Sequence, residues 1–304
     1  MPNFYEEMRR GLLTGSIDTA FFWVPFSGSR YREASGHKSI TLPKTISPVM
    51  RKIGYGAPFF PTFYQHARKE PLRTFRGAYK GSGTYFITAY SWLVAAEFGV
   101  SHAAKSYGLN PYCATFLAGV AGGIIATPGE HYMIQGKPLR QIFRPDIFSF
   151  FYSVRGVFPT ILRELTFSAV SVSGIQSCAS QRVANHYTEG KVNVLTNTIG
   201  AVVCAPILAF TQPPARVAAT MQSMHLGFFA TIRMLNKIGR SQVESLPKNS
   251  GLIKQLVVYI SMAYFPGGGL RLWTLTGTGL LYGVMDSFFS REDVQPKRSS
   301  IMPD

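Results

Sequence analysis

PGEHYMIQGK at residues 128–137, followed by RGVFPTILRELTFSAV at 155–170, decides how this chain is read. The first segment closes a small, apolar stretch and puts a proline where a helix kinks. The second opens a new apolar stretch. The pair recurs. PFSGSRYREA at 25–34 is followed by RGAYKGSGTYFITAY at 76–90, and PPARVAATMQ at 213–222 by PGGGLRLWTLTGTGLLYG at 266–283, a weaker copy. Two helix types alternating three times make a six-helix repeat protein.

Composition agrees with an all-α membrane protein. Hydrophobic residues make up 46% and charged residues only 15% of the 304, against about 25% charged in soluble domains. Helices are expected at about 11–32, 81–105, 111–135, 156–183, 192–222 and 268–289, each long enough to cross a hydrocarbon core. They form one domain of three two-helix repeats, at about 11–105, 111–183 and 192–290. The small-residue runs AGVAGG (118–123) and IGAVVCA (199–205) suit close helix packing in lipid. Cys113, Cys178 and Cys204 all lie in apolar stretches without metal-ligand spacing and read as small buried residues.

Charge is one-sided. Residues 30–80 hold eleven Lys and Arg against two acids, 136–155 four against one, and 222–266 five against one. These three loops account for the whole net charge of +16. All three fall between a proline segment and its partner helix, so they share one side of the membrane, with both termini opposite. Segments 63–75 and 228–238 alternate apolar and basic residues near helical spacing, as interfacial helices do. The stretch 239–253 is polar and reads as an inserted loop.

Several function classes drop out. The basic residues are dispersed, with no zinc spacing or helix-turn-helix, so no nucleic-acid partner is expected; an anionic lipid surface such as cardiolipin suits them better. No G-x-S-x-G, P-loop or zinc-helix motif occurs, so neither enzyme chemistry nor a cofactor is implied. Glu6 and Glu7 argue against a cleavable N-terminal address.

The threefold pattern resembles the mitochondrial carrier family, over about residues 11–290. In that family P-x-[DE]-x-x-[KR] closes each odd helix, and an even helix opens near Arg-Gly. The resemblance implies a monomeric, multi-pass protein of the mitochondrial inner membrane. Its helices surround a central cavity that moves a small charged metabolite by alternating access. Each gate acid there pairs with the base of the next odd helix. The acid positions hold Ser27, Glu130 and Ala215, and the base positions Arg30, Met133 and Ala218. That order sets Glu130 opposite Ala218, with Arg216 the nearest substitute base, and leaves no complete bridge. Gln222 matches the family's glutamine brace. On the even helices the second gate retains Glu97 and Asp286 without bases, either as gating acids or as solvated acids at a water-filled mouth. Solute contacts map to Thr84, to Arg163 with Glu164, and to Thr274, with Arg271 as a further cation. In the family an Arg-acid pair at that point accompanies amino-acid-like solutes, while nucleotides call on several cations. The resemblance implies that Arg163→Ala abolishes solute binding in a folded protein, and that the incomplete odd-helix gate couples weakly to counter-solute. The alternative is a carrier-fold scaffold or receptor that has lost transport.

Overall fold

A computed structural model describes residues 4–20, 72, 90–134, 154–172, 175–247, 249–265 and 275–285, all helical or in short connections, with no strand among them. The helices are α1 (Phe4–Asp18), α2 (Ser91–Ser106), α3 (Pro111–Ile134), α4 (Val157–Phe167), α5 (Ile175–Tyr187), α6 (Val194–Ala209), α7 (Gln212–Met224), α8 (Phe228–Glu244), α9 (Leu252–Tyr264) and α10 (Leu275–Met285).

Small residues set the packing. A Cβ on Gly11 of α1 would lie 2.8 Å from the Cα of Ala95, so α1 and α2 touch backbone to backbone. Ser16 Oγ donates to Ser91 Oγ at 3.0 Å on the same seam. Helix α3 presents glycines in two directions. Gly122 meets the carboxyl of Glu97 on α2, while Gly119 and Gly123 meet the backbones of Leu165 and Ile161 on α4. Such contacts give helices dispersion energy that larger side chains would block. The circuit continues where Gly200 of α6 meets Ser180 and Gln176 of α5. Asn197 of α6 then donates to Gly283 O of α10 at 2.8 Å. It closes where Thr278 of α10 donates to Asp18 of α1 at 2.8 Å, both side chains fully buried.

Among the described residues one helix, over Pro111–His131, is long and apolar enough to cross a membrane, and the pair α6–α7, bent by 50°, passes the same test together. The prolines act differently in the two. Pro128 sits inside an unbroken α3, whereas the break between α6 and α7 falls just before Pro213 and Pro214. Proline at the first positions of α7 loses no helical hydrogen bond, since those amides have no partner to give up. The expected continuous helix at 156–183 is instead α4, a π-helical stretch Ser168–Val172 and α5. Gly156 caps α4 at φ +84°, a left-handed conformation that explains the glycine of the Arg-Gly opening.

Helix α6 starts at a reciprocal cap. Asn193 Oδ1 accepts from Thr196 N at 3.0 Å, and Thr196 Oγ1 accepts from Asn193 N at 2.9 Å. Losing such a cap costs about 1 kcal/mol. Asn193→Ala should therefore lower stability by roughly that amount, and Asn193→Asp should retain most of it, in thermal unfolding of purified protein.

Two sequence expectations fail outside the site. The polar loop expected at 239–253 is too long: residues 239–244 and 252–253 are helical, and the connection narrows to the stretch between them. The segment 228–238 is helical as expected, but α8 runs on to Glu244 and α9 begins at Leu252. Tyr259 and Tyr264 of α9 both donate to Asn236 Oδ1 of α8, at 2.7 and 2.6 Å, which ties the two helices together. The apolar run LIKQLVVYISMAY outweighs the turn-rich sequence before it. Of the cysteines, only Cys204 is buried; Cys113 and Cys178 are exposed. An apolar stretch does not fix which face of its helix a residue occupies.

Candidate functional site

Arg163 lies on α4, 6% exposed, between two carboxylates on different helices. Its Nη1 is 2.6 Å from Glu130 Oε1 on α3, and its Nη2 and Nε both reach Glu164 Oε1. Neighbours in a helix point in different directions, so the long arginine stem must fold back to meet Glu164. Its planar fork can then serve both acids, which a lysine could not match. With all three ionised the trio carries one net negative charge. Glu164 is 4% exposed, so it and Arg163 are held inside protein, while Glu130 is half-buried.

Glu130 thus has a cationic partner, Arg163, that the family's pairing order did not supply. Ala218 packs against Gly156, whose Cβ would lie 3.3 Å from the Ala218 Cα. Arg216 sits half-buried on α7. The Glu130 ion pair links a predicted gate acid to a predicted solute contact of the same repeat. The pairing rule from odd helix to odd helix ignored the even helix in between, and Arg163 is long enough to intervene.

Gln222 is fully buried at the basic-loop end of α7. Its Nε2 donates to Arg155 O at 3.2 Å and, at longer range, to Thr127 O at 3.4 Å. It thus braces α7 against α3 and the start of α4. Arg155 in turn donates to His225 O.

Glu97 corrects another expectation. It does not lie at a water-filled mouth; its side chain is completely buried. Its Oε1 accepts from Ser168 at 2.9 Å, while Oε2 has no hydrogen-bond partner. Beside it, the ring of Tyr282 on α10 lies 5.9 Å from Phe98 of α2 and 5.9 Å from Phe167 of α4. Three even-numbered repeat helices thus meet through aromatic rings, which excludes water from the carboxyl.

Ser27, Arg30, Thr84, Arg271, Thr274 and Asp286 lie outside the described residues. Ser168, Tyr282 and the Asp18–Thr278 bond escaped the sequence reading. Asp18 did carry a signal, being an acid inside an expected span. Ser168, Thr278 and Tyr282 carried none, because small hydroxyls and tyrosines are ordinary in apolar helices.

No protein-family model, curated protein or solved structure matches this chain. Its described residues define an all-helical chain with an ion trio between its helices, two members of it buried and Glu130 half-buried.

Proposed function

We propose that this protein is a carrier-type membrane transporter of a small charged metabolite, with six spans in three repeats around a central cavity. By its resemblance to mitochondrial carriers, we place it in the mitochondrial inner membrane, as a monomer with anionic lipid at its basic loops. The single observation carrying this reading is the Glu130–Arg163–Glu164 trio. Buried charges inside apolar helices are costly and are retained where they serve a pathway or a switch. The trio bridges two successive helices of a closed circuit, at the level where the sequence pattern puts solute contacts. A bridge between α3 and α4 must break or rearrange if those helices separate, so solute binding has an energetic lever on the equilibrium between states. Because both acids already occupy Arg163, an entering carboxylate or phosphate must displace one of them.

The test is flux. Full-length protein reconstituted in liposomes is loaded and presented with labelled glutamate, arginine, 2-oxoglutarate and ADP. Saturable uptake of at least one class above protein-free vesicles is expected. Faster loss of internal label when external solute is added would indicate exchange. A folded protein that moves none of these classes would favour the scaffold alternative.

A further inference from the structure

A fully buried carboxylate is ordinarily matched by a cation, by several donors, or by water. Glu97 has one donor, Ser168, and no ion pair among the described residues. Water is kept away by zero exposure. Space is short as well: a Cβ on Gly122 would already lie 2.5 Å from Oε1, so α3 sits directly on the carboxyl. Among the described residues, no cluster suits a metal ion.

The charged and titratable groups around Glu97 do not supply the missing charge. From α1 there is Asp18, just ahead of α2 Tyr90, and from α10 Tyr282, all within electrostatic reach of one another. From α4 come Arg163 and Glu164, and α3 adds Glu130 beyond them. Arg163 is the one cation in this set, and it is already shared by two acids. The cation that fits the remaining space is a proton.

We propose that Glu97 is a proton-carrying site, its carboxyl holding a proton while α2, α3, α4 and α10 pack around it and releasing it to water when they part. The step is a proton transfer only. Water on one side donates H⁺, an O–H bond forms at Oε2, and that bond breaks to water on the other side; no electrons move. In the packed state Ser168 occupies Oε1, which leaves Oε2 as the oxygen that holds the proton. Where the transport reading above holds, the proton travels with the conformational cycle and solute movement becomes sensitive to a pH gradient.

Infrared spectroscopy of the full chain in liposomes tests the site without requiring transport. Solvent-exposed acids are ionised at about pH 7. Wild-type protein should nevertheless retain the carbonyl stretch of a neutral carboxylic acid at that pH, and Glu97→Gln should lose that component. The amide of glutamine is close in shape, so the variant should fold; circular dichroism checks this. Ser168→Ala removes the donor that favours the ionised form, so its band should persist to higher pH than in wild type. Absence of the band in wild type, or its full survival in Glu97→Gln, would overturn the proposal. A second arm loads vesicles with a pH-sensitive dye and presents glutamate, arginine or ADP. Influx accompanied by a dye response in wild type, lost in Glu97→Gln, supports the coupling; influx without one overturns it. If none of the three moves, the transport reading falls, while the infrared band still decides the proton site.

Discussion

Arg163→Ala should destabilise the protein by about 3–5 kcal/mol, the cost of breaking a buried ion pair by removing one partner. The guanidinium lies between Glu130 and Glu164. Removing it leaves two acids facing each other in a site with little water, so the loss exceeds that of the bonds alone. The companion variant decides the mechanism. Replacing all three members together (Glu130→Gln, Arg163→Met, Glu164→Gln) removes the charges as well as the bonds, and should be far milder, about 1 kcal/mol or less either way. Thermal unfolding in detergent and again in lipid reads both. Equal melting of Arg163→Ala and wild type would show that the trio is not held inside protein. The sequence alone suggested that Arg163→Ala stays folded and loses only solute. With the trio in view, a loss of binding in that variant is interpretable only beside the charge-neutral triple, because unfolding and solute loss otherwise coincide.

The second large effect is expected at Gly123. A Cβ there would lie 2.6 Å from the Cα of Ile161 and 2.9 Å from its backbone nitrogen. Backbone atoms cannot move aside by changing rotamer, so Gly123→Leu must push α3 away from α4. Overpacking typically costs 1–3 kcal/mol, and the backbone obstacle puts this site at about 3 kcal/mol or above. The damage should extend to the ion trio, since Glu130 and Arg163 sit on the same two helices. Gly227 is the control. It has open space around its Cβ position and opens α8, so Gly227→Ser should lie within about 0.5 kcal/mol of wild type. If Gly123→Leu melts like Gly227→Ser, the close approach of α3 and α4 is not present in the protein.

Part of the helical organisation was legible from the chain. The Arg-Gly opening at 155–156 located the start of α4, and the glycine run at 118–123 marked faces that touch. Pro128 marked no helix end, since α3 runs through it. Local patterning decides such features. What stayed hidden is relational. Arg163 and Glu164 stood out as charges in an apolar stretch, but their third partner, Glu130, belongs to another helix, and a pairing rule borrowed from a resemblance sent it elsewhere. Glu97 was visible as an acid with no base three residues on, and its burial was not. Burial depends on Ser168, Tyr282 and Gly122, residues whose types say nothing about a carboxyl until the helices are assembled. The π-helical stretch at Ser168–Val172 is similarly silent in sequence, because nothing in SAVSV demands an altered hydrogen-bond register.

The buried bond between Thr278 and Asp18 spans 260 positions of chain. Loop closure over such a distance is entropically late. In a protein made from its N-terminus, α1 must wait, already paired with α2, until almost the whole sequence has been synthesised before its other neighbour exists. The first helix therefore spends most of biogenesis with an acid-bearing flank uncovered. Sealing of this part of the circuit is timed by the arrival of α10.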